Sequence, residues 1–153
     1  MKLNYFFRKT LLVTACLMTF SAGVFAEQHF TVSDKLLSVF QKTFPDAIEV
    51  KWAEQPTGYM VSFKQHDILT KVLYDKEGSF VGSFRYYAGN NLPVTIICRL
   101  QKDYPGKSVF GVTEVTNENG TDYYIKVQDD KYWYTIYSDS SGNLEKIEKY
   151  RKA

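Results

Sequence analysis

The chain has 153 residues, 44% of them hydrophobic and 24% charged, and its lysines and arginines exceed its aspartates and glutamates by only 19 to 17. A chain of this length buries roughly two-thirds of its unfolded surface, which is enough for a real core. The charge balance lacks the strong basic footprint of a nucleic-acid-binding protein, so the sequence predicts no nucleic-acid partner.

The start of the chain predicts its compartment. Three basic residues precede a mostly apolar run over 11–20, and Val24-Phe25-Ala26 forms an A-x-A-like cleavage site. This pattern predicts a secretory signal peptide over residues 1–26, cleaved after Ala26, and a periplasmic or secreted protein. The apolar run is too short for an ordinary membrane-spanning helix. An alternative interpretation is a lipoprotein box at 13–16 with Cys16 acylated.

Cleavage after Ala26 removes three basic residues and leaves 127 residues with a formal charge of −1. Cys98 is then the only cysteine, so an internal disulfide is impossible and the fold depends on packing. A single cysteine in a secreted chain is a candidate for reaction or for pairing between molecules. Because Cys98 follows Ile96 and Ile97, we interpret it as a small, partly buried apolar residue.

The mature chain opens with a predicted helix. Thr31 or Ser33 can cap it, since a hydroxyl oxygen accepts an unpaired amide hydrogen of the first turn. Pro45 disfavours helical geometry at the preceding residue and ends the run. The predicted buried stripe is Leu36, Leu37, Phe40 and Phe44.

Four strands joined by hairpins follow the first helix, and four more follow a second helix. The second helix comes after a linker over 88–92 and opens at Pro93, and its predicted buried stripe is Val94, Ile97, Leu100 and Tyr104. The last strand is the most charged, as suits an exposed sheet edge. The predicted strands cover 48–53, 59–64, 68–74, 79–87, 109–116, 122–128, 132–137 and 144–150.

Two spacings indicate an internal repeat. The pairs Phe44-Pro45 and Tyr104-Pro105 are sixty positions apart, and Asp-x-x-Gly turns occur at 75–78 and 139–142. We therefore predict an α+β fold made by tandem duplication of a helix plus four-stranded antiparallel sheet unit, with both helices packed on one face of the sheet. The two units, 27–88 and 89–153, are expected to form one compact domain.

Few residues offer catalytic chemistry. His66 lies in a polar turn beside Asp67, and we interpret it as a turn residue. Cys98 with a histidine would make a nucleophile pair only if the fold joined them, which leaves a small thiol or hydrolytic enzyme as an alternative. The Asp-x-x-Gly turns lack the further ligands of a calcium loop. We expect no catalytic set, no metal and no cofactor.

Aromatic residues are the one chemical excess, with twenty among the 127 residues after Ala26. The run 132–137 places bulky rings on both faces of its strand. A strand with only one face in the core would not need aromatic side chains on both faces. Tyrosine and tryptophan are enriched at binding hot spots, whereas the plainer interpretation is that the rings cover a sheet face. We predict a non-enzymatic module that contacts a protein, a peptide or an envelope component through Tyr124, Trp133 and Tyr137.

Several motifs carry a resemblance to a known family: Phe44-Pro45-Asp46-Ala47 leading to a strand that ends at Trp52, the Tyr-Met-Val-Ser-Phe strand at 59–63, the Tyr-Asp-x-x-Gly turn at 74–78 and the Leu-Pro helix start at 92–93. Together they resemble the secreted PepSY-like proteins related in fold to β-lactamase inhibitor protein and found in Bacteroides-type bacteria. The resemblance covers nearly all of the mature chain. The second half departs from it, with Phe110 and Gly111 in place of Val50 and Lys51.

The resemblance implies a secreted or periplasmic module, and its inhibitor relatives grip a protein with an aromatic-rich concave sheet face. It therefore implies a second alternative, an inhibitor or regulator of a secreted hydrolase or protease. Fold kinship alone does not transfer function, and this chain lacks the disulfides of the inhibitor.

Overall fold

The computed structural model describes residues 31–153. The predicted signal peptide over 1–26 and the alternative lipid anchor at Cys16 lie outside these residues. The elements in chain order are α1 (Asp34–Thr43), β1 (Ile48–Gln55), β2 (Gly58–Gln65), β3 (Ile68–Asp75), β4 (Phe80–Tyr87), a 3₁₀ turn (Gly89–Asn91), α2 (Val94–Asp103), β5 (Ser108–Asn117), β6 (Gly120–Gln128), β7 (Tyr132–Ser138) and β8 (Leu144–Arg151).

The first helix forms as its sequence predicts. The Ser33 hydroxyl accepts a hydrogen bond from the Leu36 amide at 3.3 Å, and the helix ends at Thr43, two residues before Pro45. Leu36 and Phe40 are buried against Phe63 and its neighbours in β2 and β3, and the stripe residues 37 and 44 pack at the margin of that cluster.

The eight strands form one continuous antiparallel sheet in the order β1 to β8. The predicted tandem of two four-stranded units, each with its own helix, is therefore wrong. Strands β4 and β5 pair over six residue pairs, from Gly82 with Asn117 to Tyr87 with Val112. Pairing these strands satisfies backbone groups that two separate edges would leave open, so no unit boundary exists in the sheet.

Two core clusters lie on one side of this sheet. The first joins α1 to β2 and β3, and the second joins α2 to residues of β4, β5, β6 and β7. The register shows that both occupy the same side, because Val72 of the first cluster pairs with Ser83, and Ser83 shares a strand face with Tyr87 of the second.

The second helix is rotated relative to its prediction. Ile96 and Leu100 are its buried residues, whereas Val94 is 74% exposed, so the predicted burial of Val94 is wrong. Three apolar residues in the first turn fit two overlapping stripes, and packing selects the one through Ile96. Cys98 then faces outward and is exposed, which contradicts its interpretation as a partly buried residue.

Register shifts occur in four of the strand pairs, and those in β1 and β5 change which side chains are exposed. In β1 the register shifts between Ile48 and Lys51, Glu49 adopts a φ of 55°, and Ile48 and Val50 are exposed rather than buried. In β5 the register shifts between Val109 and Gly111. A bulge inserts an extra residue and re-aims side chains, which leaves the intervening Phe110 63% exposed.

The last strand lies at an edge of the sheet, as its charges predict. All its residues from Glu145 to Arg151 are exposed.

Candidate functional site

The sheet face opposite α1 and α2 is called the open face, because no helix of residues 31–153 packs on it. Trp133 and Tyr137 lie on this face, since they alternate along β7 with Tyr134 and Ile136 of the α2 cluster. Tyr124 pairs directly with Tyr137 and shares the face. The structure thus brings the three predicted contact residues onto one surface, although their role in binding stays a prediction.

Tyr124 and Tyr137 form an edge-to-face pair with ring centroids 5.7 Å apart and an interplanar angle of 64°. Tyr124 is 40% exposed, and the hydroxyl of Tyr137 donates a 2.8 Å hydrogen bond to the Asp122 carboxylate. That hydrogen bond is the main cause that raises the pKa of Tyr137 above its ordinary value. The hydrogen bond therefore helps to fix the Tyr137 ring, and the Tyr124 ring that packs against it is open to solvent.

Trp133 stands in a second aromatic group at the other end of β7. Its ring meets Phe110 edge to face at 5.0 Å, and it pairs across the ladder with Tyr150. The Lys152 ammonium lies 4.7 Å from the Trp133 ring centroid, within cation–π range. Phe110 was not among the predicted contacts, because its exposure depends on the β5 bulge.

Lys126 lies between the two aromatic groups. Its ammonium donates hydrogen bonds to the hydroxyls of Thr135 and Tyr150, at 2.5 and 2.7 Å, and lies 3.7 Å from Glu148. The hydrogen bond from Lys126 is the main cause that lowers the pKa of Tyr150 below its ordinary value. The Glu148 carboxylate thus partly neutralises the Lys126 charge at the centre of the open face.

One row of the open face crosses five strands. Each member pairs directly with the next, so the row places apolar and aromatic groups side by side. Tyr86 belongs to it, with the Lys71 ammonium 5.8 Å from its ring centroid, and was not among the predicted contacts. Its sequence neighbour Tyr87 is buried on the side of the sheet that α1 and α2 cover, which is called the helix face. The sequence alone does not show which of the two tyrosines is exposed. The row consists of Leu69, Tyr86, Thr113, Tyr124 and Tyr137.

The residues of the enzyme alternative are not joined into a site. His66 lies in the β2–β3 turn with a φ of 50°, as predicted, and lines a cavity of about 570 Å³ on the helix face. Cys98 is exposed on α2 and is not part of that lining. Among the hydrogen bonds of residues 31–153, none links either side chain to a catalytic partner.

The acidic turns are explained by hydrogen bonds within them. The Asp75 carboxylate accepts the Ser79 amide at 2.7 Å, and the Asp139 carboxylate accepts the amide and side chain of Asn143. Across residues 31–153, no three His, Cys, Asp or Glu side chains are grouped so that they could hold a metal ion.

Comparison with solved structures gives several close folds. A BLIP-like protein from Bacteroides fragilis has a TM-score of 0.60 and 19% identity, covering 81% of this chain and 89% of that one. A DUF2874 family protein from Bacteroides ovatus has a TM-score of 0.58 and 21% identity over 80% of this chain and 89% of that one. The chain has the BLIP-like fold.

A third protein with the BLIP-like fold, described as a candidate periplasmic protein from Bacteroides eggerthii, has a TM-score of 0.57 and 16% identity over 80% of this chain and 90% of that one. No model of a known protein family matches the sequence, and no curated protein matches it. The resemblance predicted from the sequence motifs is confirmed as a likeness of fold. Neither helix within residues 31–153 is long and apolar enough to cross a membrane.

Proposed function

We propose that this protein is a non-enzymatic binding module of the bacterial envelope whose open face contacts a partner protein. The observation that carries the proposal is the clustering of Tyr124, Trp133 and Tyr137 on one uncovered sheet face, joined there by Phe110 and Tyr150. Exposed apolar patches of this kind mark interaction sites.

The chemistry of this face fits a protein surface. Tyrosine and tryptophan bury a large surface area at low cost in side-chain entropy. Their O–H and N–H groups can still form a hydrogen bond when an interface removes them from water. Lysine ammonium groups lie near the rings of Tyr86, Trp133 and Tyr150. A partner that combines an apolar centre with carboxylates at its rim would complement both features.

The envelope location rests on the predicted signal peptide and on the fold shared with a candidate periplasmic protein. Secretion through the signal peptide would expose the open face to periplasmic or extracellular proteins. N-terminal sequencing of the protein recovered from periplasm tests this, and a mature start at Glu27 is the expected result.

The binding test compares matched variants in one capture experiment. Immobilised wild type, Trp133→Ala and a Tyr124→Ala/Tyr137→Ala double variant are incubated with envelope extract, and recovered proteins are quantified. Phe80→Ala is the control, because Phe80 is 52% exposed but lies on the helix face. A partner retained by wild type and Phe80→Ala but lost from both open-face variants supports the proposal. Equal recovery of every protein by all four baits would refute it.

A more specific function is inhibition or regulation of a secreted hydrolase or protease. The observation that favours it is the likeness to a BLIP-like protein, a class named for a β-lactamase inhibitor. Titration of wild type into purified periplasmic β-lactamase and secreted proteases tests it. A saturable loss of rate that Trp133→Ala relieves supports inhibition, whereas unchanged rates for every enzyme count against it.

A further inference from the structure

The helix face carries a cleft between the two core clusters, over the middle of the sheet. Val39 of α1, Phe44 directly after α1, Val72 of β3 and Phe80 of β4 form its apolar walls, and its volume is about 570 Å³. Ligand pockets commonly have volumes of roughly 300–1,000 Å³, and their linings are mostly apolar with a few polar groups. The cleft is called the β3–β4 cleft below.

The cleft exists because the inward-facing residues at the middle of the sheet are polar. Thr70 pairs with Arg85, which in turn pairs with Glu114, and Ser83 pairs with Thr116. Larger apolar residues at these positions would join the α1 and α2 clusters into one core, but the two clusters are separate. The sequence thus leaves a gap where the continuous sheet would otherwise carry its densest packing.

Among the lining residues within 31–153, Arg85 is the one that carries a formal charge at neutral pH. Its guanidinium donates a 2.9 Å hydrogen bond to Glu114, and its side chain is 40% exposed. Glu114 lies outside the lining and is 12% exposed. A guanidinium has five N–H donors, and within residues 31–153 Glu114 is the only hydrogen-bonding partner of this one. Because Arg85 lines the cleft and this contact uses one of its donors, we take the others as available to an anion.

The walls are also more exposed than a closed core. Val39 is 47% exposed and Phe80 is 52% exposed, so apolar surface lines the mouth of the cleft. A ligand with an aliphatic body would remove this surface from water, which is favourable in proportion to the area buried. A single anionic head would then reach Arg85 at the sheet.

We propose that the β3–β4 cleft binds a small amphipathic monoanion, of the fatty-acid class, with its aliphatic chain against α1 and its carboxylate on Arg85. This site lies on the opposite side of the sheet from the open face and does not depend on the proposed partner binding. The apolar lining favours an aliphatic chain, and the N–H donors of Arg85 beyond its one bond to Glu114 favour a single anionic head over a neutral or a polyanionic one.

The test uses protein purified from periplasm and isothermal titration with decanoate below its micelle concentration, alongside decanol. We expect one saturable decanoate site and roughly 10- to 100-fold weaker binding of decanol, because a hydrogen bond to a charged group contributes about 1.5–3 kcal/mol. The double variant Arg85→Gln/Glu114→Gln keeps the pair neutral and should abolish this preference. A lack of saturable binding, or equal affinity for acid and alcohol, would overturn the proposal.

Two further variants locate the site. Val39→Trp fills the mouth of the cleft from an exposed helix position and should remove binding of both ligands. Val94→Trp makes the same change at a 74% exposed position of α2 outside the lining and should leave binding unchanged. Equal losses in the two variants, or a loss in Trp133→Ala on the open face, would contradict a site in the cleft. Capture of a partner by the open face is scored separately, so either proposal can fail alone.

Discussion

The Tyr87 hydroxyl donates a 2.6 Å hydrogen bond to the Glu114 carboxylate across the β4–β5 pair. Arg85 contacts the same carboxylate from a neighbouring position of β4. These side chains reinforce the pairing that joins the first four strands to the last four. The seam of the sheet is thus held by polar contacts between the two apolar clusters.

Replacement of Tyr87 by phenylalanine should weaken the seam. Tyr87 is 7% exposed, and the change removes one donor to the mostly buried Glu114 carboxylate, so we expect a loss of about 1–2 kcal/mol in the free energy of unfolding. Urea unfolding measures it. Tyr86→Phe is the matched control, because within residues 31–153 its hydroxyl makes no hydrogen bond. A loss as large in the control would contradict the role of the Glu114 contact.

Stability should fall in alkaline solution. Burial raises the pKa values of Tyr74, Tyr87 and Tyr123 in the folded state, and the hydrogen bond to Glu114 raises that of Tyr87 further. As the pH passes the unfolded tyrosine value of about 10, the unfolded chain loses protons that the folded chain retains. The stabilisation is complete below about pH 10 and declines above it. Urea midpoints measured across this range should decrease, and less steeply in Tyr87→Phe; constant midpoints would refute the assignment.

Tyr150 should behave in the opposite sense and ionise early. The Lys126 ammonium favours its phenolate, so its pKa lies below the ordinary value. Ultraviolet titration of tyrosinate should show one group that ionises before the rest, and Tyr150→Phe should remove that phase. Lys126→Met should move the same phase to higher pH. Persistence of the early phase in both variants would assign it to another tyrosine.

The rotation of α2 gives a paired test. Ile96→Ala should cost about 2–5 kcal/mol in the free energy of unfolding, since Ile96 is fully buried and the change leaves a cavity. Val94→Ala should change stability by less than about 0.5 kcal/mol, because Val94 is largely exposed. Thermal and urea unfolding both report the difference. Similar costs at the two positions would favour the stripe predicted from the sequence.

Phe63 and Phe110 allow the same substitution to be compared at a core position and at a surface position. Phe63 is 1% exposed and packs against Phe40 and Phe44, with centroids 5.2 and 4.7 Å away, so Phe63→Ala should cost about 3–5 kcal/mol. Phe110→Ala should have little effect on unfolding because the ring is mostly exposed. Its effect should appear in partner capture instead. A strongly destabilised Phe110→Ala would remove Phe110 from the proposed contact surface.

Much of the fold could be predicted from local patterns. The Ser33 cap, the stop before Pro45, the eight strands and the charged edge strand follow from helix capping and side-chain period. The continuous sheet could not be predicted in this way. The β4–β5 pairing spans α2 and has no hairpin turn, so no short motif encodes it.

The candidate face could be predicted in part. Rings on both sides of β7 indicated Trp133 and Tyr137, because simple alternation separates them from Tyr134. Phe110 and the β3–β4 cleft were missed for different reasons. A bulge changes the face of one residue without a distinctive sequence, and the cleft arises from the packing of α1 relative to distant strands.

The order of the strands has a consequence for folding kinetics. Within residues 31–153 each strand pairs only with strands adjacent in sequence, and six of the seven pairs are closed by short turns. Loop closure costs more entropy as the loop lengthens, so the hairpins should form early and the seam across α2 late. Mutations at Tyr87 and Glu114 should then change the unfolding rate far more than the refolding rate. The two ends of the sheet can begin to fold independently and are committed to one molecule when the seam closes.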